Sequence, residues 1–153
     1  MLHRLAIATI ALLVVVFGGA QAGLLAGKRP ARLGVVDGQL LPVRTQLTNA
    51  VSSAASTEYH RIAPLETGDD PAGAFARLRA VVASTPGARI VEERPGYLYA
   101  EYESTWLKFV DDVEFLLDAP DRVVHVRSAS RFGRKDFGVN RARIEAIRAR
   151  LGG

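Results

Sequence analysis

Ten residues between Asp111 and Arg141 carry groups that bind ions, protons or polar ligands: Asp111, Asp112, Glu114, Arg127, Ser128, Ser130, Arg131, Asp136, Asn140 and Arg141. Clustered carboxylates suit a hard cation, and paired guanidinium groups form a fork for a carboxylate or phosphate. These ten are the candidate ligand-binding set. Strand alternation limits the cation reading, because it puts Asp111 on the face opposite Asp112 and Glu114. The same spacing offers a purely structural alternative, in which Arg127 and Arg131 pair across strands with Glu114, Asp112 or Glu101. No residue is assigned as catalytic or as a metal ligand, and no cofactor is called for. His125 beside Ser128 and Ser130 hints at acyl transfer, but in a regular strand His125 faces away from Ser128, and no Gly-x-Ser-x-Gly elbow exists. Asp136-Phe137-Gly138 matches a kinase tripeptide by chance, since the chain is too short for that fold.

Those residues need a scaffold, and 153 residues at 48% hydrophobic and 24% charged allow one modest domain. The formal net charge of +4 hides a segregation. Residues 58–121 hold thirteen acids and six bases, and residues 122–150 hold nine bases and two acids. Two oppositely charged halves neutralise each other on folding. With no zinc-ligand set, stacking platform or basic dimeric helix, nucleic acid is not an expected partner. The chain has no cysteine, which removes disulfides and thiol chemistry but leaves the redox compartment open.

Leu5 to Ala26 is almost unbroken apolar sequence. About 20 such residues can cross a hydrocarbon core of about 30 Å, which favours a transmembrane anchor with the domain on the extracytoplasmic side. The alternative is a signal cleaved after the small-x-small triplet ending at Ala22, giving a secreted or periplasmic protein. Residues 1–26 are therefore assigned to the membrane or to export, 27–57 to an extended arm, and 58–153 to a single domain.

Within that domain, Asp70-Pro71 reads as an N-cap followed by proline at the first helical position, with Phe75, Leu78 and Val82 at helical spacing. A short strand is expected within His60 to Leu65. Four strands follow, at 89–94, 97–103, 111–118 and 122–130, joined antiparallel by turns at Pro95-Gly96 and Ala119-Pro120-Asp121. Val113, Phe115 and Leu117 make an apolar face, and Asp112, Glu114 and Asp118 a polar one. A four-residue loop at 119–122 sets Glu114 opposite Arg127, whereas a two-residue loop sets Asp112 there. Trp106, Tyr97, Tyr99 and Tyr102 are expected to pack in the core or on the sheet. A last helix starts at Asn140 as cap, with Val139 and Ile144 as a hydrophobic staple and Ile144, Ile147 and Leu151 buried. The expected fold is α+β: a four-stranded antiparallel meander with a helix before and after, in two layers, behind an apolar N-terminal helix.

The chain resembles the bacterial and plastid family called domain of unknown function 1499. The resemblance rests on Gly27-Lys28-Arg29-Pro30, Leu33-Gly34-Val35, Gly38-Gln39-Leu40 with Pro42, Asn49 with Val51-Ser52-Ser53, and Ile62 with Pro64-Leu65. It continues through Phe109-Val110-Asp111-Asp112-Val113-Glu114-Phe115 and Arg127-Ser128-Ala129-Ser130-Arg131 to Arg141. The family brings no established activity with it. Relatives look like Pro-Cys-Pro and Asn-Cys-Val-Ser-Ser where this chain has Pro42-Val43-Arg44 and Asn49-Ala50-Val51-Ser52-Ser53, so both family cysteines are replaced. The expectation is a tethered or exported domain that binds or scaffolds, with a protein or small molecule as partner. The competing expectation is an enzyme or metal-dependent module using Asp111, Asp112, Glu114, Arg127 and Arg131.

Overall fold

The computed structural model describes residues 2–152. A 20-residue helix, α1 (Leu2–Gln21), comes first. Most of its apolar side chains are exposed, and it has the length and composition to cross a membrane. The chain then makes a small hairpin, β1 (Val35–Val36) with β2 (Gln39–Leu40), before the short strands β3 (Ala50–Ser52) and β4 (Leu65–Glu66). Helix α2 (Pro71–Ala83) follows, then the meander β5 (Ala88–Arg94), β6 (Tyr97–Glu103), β7 (Val110–Asp118) and β8 (Val123–Ser130), and finally α3 (Val139–Leu151).

The local signals explain most of these elements. Asp70 caps α2 by accepting a hydrogen bond from the Gly73 N–H at 2.9 Å, with Pro71 opening the helix. The meander is antiparallel throughout, and the loop 119–122 gives the register Asp118 to Val123, Phe115 to Val126 and Glu114 to Arg127. Of the two loop lengths consistent with the face pattern, the chain uses the longer.

Leu98, Ala100, Val113, Phe115, Val124 and Val126 form one face of the sheet, against Leu78 and Val82 of α2 and Ile144 and Ile147 of α3. This is the α+β core, with both helices on the same side.

Four features depart from expectation. The sheet has six strands rather than four, because β3 and β4 both pair with β8, at Ala129 to Arg127 and at Val124 to Val123 respectively. Strands of two or three residues carry too little periodicity to be recognised, and the His60 to Leu65 stretch supplies a bridge at Arg61 and only the first residue of β4. The fold also has more than two layers, since the arm crosses the polar face. Leu33, Val35 and Leu40 pack there on Tyr97, Tyr99 and Leu116. Helix α3 begins one residue early, behind Gly138, so Asn140 lies inside it and Val139 stays exposed without a staple. Finally, Tyr97, Tyr99 and Tyr102 are buried as expected, but Trp106 is 74% exposed.

Candidate functional site

The polar face of the sheet is not a solvated surface. Gly34 adopts a φ of 103°, which glycine tolerates best, and its N–H donates to Glu114 Oε1 at 2.5 Å. Tyr97 Oη donates to the same oxygen at 2.9 Å, and Arg127 Nη1 donates to Oε2 at 2.6 Å. Glu114 is fully buried, and the Arg127 side chain is 10% exposed. An ionised carboxylate at such a position requires this many donors, because it has lost all its water.

Two residues along the strands on the same face, a second cluster has the same logic. Arg131 Nη2 donates to Asp112 Oδ1 and Glu101 Oε1, each at 2.6 Å, and Arg131 Nε donates to Asp112 Oδ2 at 3.0 Å. Tyr99 Oη donates to Asp112 Oδ1 at 2.6 Å. Arg89 closes the outer side of Glu101 at 2.6 Å. Burial weakens the charge on Arg131, but its hydrogen bonds to Asp112 and Glu101 outweigh that and hold the proton more tightly than usual. Burial likewise raises Glu101, yet the bonds from Arg131 and Arg89 prevail and hold its carboxyl below the ordinary value. Tyr97 and Tyr99 are pushed up, first by burial and then by the carboxylates they bond. The arm completes the cover: the Arg29 guanidinium stacks 4.6 Å from the Tyr99 ring centre. Gly27, at a φ of 71°, passes so close that a Cβ there would stand 2.7 Å from Arg131 Cβ.

The other sequence candidates lie on the helix side. Asp111 meets Arg143. Ser128 Oγ donates to Asn140 Oδ1 at 2.5 Å, and Asn140 Nδ2 donates to the Asn49 carbonyl, Ser130 Oγ and Asp136 Oδ2. Asn140 thus ties β8, α3 and the arm together rather than capping α3. Asp136 does part of that work, accepting from the backbone N–H groups of Gly138 and Asn140 at the positive end of the helix. Arg141 is spent on the carbonyls of Tyr59 and Arg61. The ten candidates are therefore divided between two faces. Among the described residues, no three His, Asp or Glu side chains gather around a metal-sized site.

His125 has a neighbour that strand reasoning did not find. Its Nδ1 lies 3.2 Å from Ser53 Oγ, and its Nε2 lies 3.8 Å from Asp118. Those are the residue types of a hydrolytic triad, but the Ser53 hydroxyl accepts from the Val126 N–H at 3.0 Å, and 3.8 Å is too long for the orienting hydrogen bond. Ser53 extends the β3 edge of the sheet.

A cleft of about 460 Å³ lies where the arm meets β8, lined in part by Lys28, Arg32, Arg44, Asp112, Arg127 and Arg131. Three of these cations come from the arm. The sequence signal for them was a charge imbalance: residues 27–57 contain four bases and one acid, Asp37. Nothing in the sequence alone showed that they face Arg127.

A family model described as a protein of unknown function, DUF1499, matches residues 41–151, and the chain belongs to that family. No curated protein and no solved structure matches the chain. Val43 and Ala50, where the sequence resemblance expected the family's cysteines, are both buried. Apolar side chains suit those positions.

Proposed function

We propose that this protein is a membrane-tethered domain that binds a partner at the membrane surface and has no catalysis of its own. The observation that carries this reading is the mutual neutralisation of the charged face. Glu114, Asp112 and Asp111 each accept from an arginine at close range. A general acid or base needs a proton to give or a lone pair to offer, and these carboxylates have theirs engaged. The arm's cations in the cleft, Lys28, Arg32 and Arg44, by contrast, are left open to a ligand. Tethering is supported by α1, a helix long and apolar enough to cross a membrane and almost wholly uncovered by the domain. Gln21 at its end donates to the Trp106 carbonyl at 3.1 Å, so the helix leaves the domain beside an exposed tryptophan, a residue favoured at membrane interfaces.

Intact-mass spectrometry of the protein purified from membranes tests the tether. A chain that retains α1 and resists alkaline extraction is expected. A mature protein starting at Gly23 and recovered without detergent would replace the tether with export.

A further inference from the structure

We propose that the cleft between the arm and β8 is a binding site for a phosphate group carried on a small aliphatic or glycerol-like body, a proposal that deepens the binding reading above and rests on it. Charge is the first argument. Arg131 and Asp112 satisfy each other, and Arg127 has Glu114 behind it. Among the described residues, Lys28, Arg32 and Arg44 have no carboxylate within 4.0 Å; Arg61, Arg141 and Arg150 also lack one but hydrogen-bond to carbonyls or hydroxyls, whereas these three make no side-chain hydrogen bond. Three unmatched cations around one cleft match an anion of more than one charge.

The second argument is independent of net charge. Arg127 makes a single side-chain hydrogen bond, through Nη1 to Glu114, and its Nε is buried with no acceptor. An orphaned donor on a buried guanidinium is costly, and because Arg127 lines the cleft, an oxygen-rich anion entering there brings acceptors to that guanidinium. Ala129 lies between Arg127 and Arg131 on this face, and its methyl group leaves the floor open.

The lining also selects the rest of the ligand. Pro30, Ala31, Leu41, Pro42 and Leu47 make an apolar wall, and among the described residues no aromatic side chain lines the cleft, so a nucleobase would find nothing to stack on. A tetrahedral phosphate uses several converging donors better than a planar carboxylate does. Both a soluble phosphomonoester and the headgroup of a phospholipid present this chemistry.

The test uses the full chain in neutral detergent micelles, titrated calorimetrically with glycerol 3-phosphate, glycerol and acetate. Glycerol 3-phosphate is expected to bind, more weakly as salt rises, while glycerol and acetate do not. Lys28→Gln and Arg44→Gln remove exposed cations without ion-pair partners, so the fold survives, and each should weaken binding about tenfold. If phosphatidic acid added to the micelles displaces glycerol 3-phosphate, the lipid headgroup fills the site; if it does not, the soluble ester does, and either result supports the site. Failure of glycerol 3-phosphate to bind, equal binding of acetate, or undiminished binding by a chain carrying both Lys28→Gln and Arg44→Gln would overturn it. A chain that fails these tests while remaining in the membrane loses this site alone. Release of inorganic phosphate from the bound ester would instead overturn the non-catalytic reading and leave the site standing.

Discussion

Arg127 shows how two demands meet at one residue. Its Nη1 holds a carboxylate with no access to water, and the same residue lines the cleft. Removing such a cation leaves Glu114 buried with only Tyr97 and Gly34 as donors, neither of them charged. Arg127→Met should therefore cost about 3 kcal/mol in chemical denaturation, and the Arg127→Met/Glu114→Gln pair should recover part of that loss. A cost under about 1 kcal/mol for the single change would mean that the pair behaves as an exposed one. Burial decides between these magnitudes, and only the folded structure supplies it.

At the scale of elements, the arm and the sheet share one titration. Tyr97 and Tyr99 donate to Glu114 and Asp112 from beneath the arm, and both phenols are held protonated well above their ordinary value of 10.0. A folded-state value above the unfolded one means that the stabilisation is complete below the unfolded value and is lost as pH rises beyond it. The domain should therefore open cooperatively in alkali above about pH 10, with tyrosinate absorbance rising together with loss of circular dichroism. Tyr99→Phe, which cannot ionise, should move that transition to higher pH. Tyrosinate absorbance that rises smoothly while the fold persists would show that the arm does not seal the face. Glu101 behaves oppositely: its carboxyl is held low, so the stability it contributes is present above its unfolded value and fades as pH falls through the folded one.

For the whole molecule, one end of the sheet collects the features of an interface. The turn between β6 and β7 carries Trp106 and Leu107, Phe109 stacks on Phe132 with ring centres 5.4 Å apart, and α1 ends against the Trp106 carbonyl. With α1 in a bilayer, this end faces the lipid headgroups. Trp106 is the single tryptophan of the chain, so native fluorescence reports on it alone. In phosphatidylcholine vesicles its emission should shift to shorter wavelength and be quenched by lipids brominated near the headgroup. Free quenching by aqueous iodide, without a shift, would turn this end away from the membrane.

Much of this architecture was legible in the chain. Asp70-Pro71, the turn at Pro95-Gly96 and the alternation Val113, Phe115 against Asp112, Glu114 specify local geometry through bonds and faces a few residues apart. Turn length and side-chain parity together even allowed the pairing of Glu114 with Arg127 as one of two registers. What the sequence could not determine depends on segments distant along the chain. β3 and β4 are too short to announce themselves, and their place beside β8 is decided by backbone groups seeking partners at a sheet edge. Asn140 has the type and position of a helix cap, yet its amide completes a network with Asn49, Ser128 and Ser130 instead. The fate of the charged face is the clearest case. Alternation determines which side chains share it, but only the tertiary fold brings Gly34, Arg29 and the arm's leucines onto it. Burial makes Glu114 and Asp112 structural and leaves the free charge at Lys28, Arg32 and Arg44, because desolvation is a property of what covers a residue rather than of the residue itself.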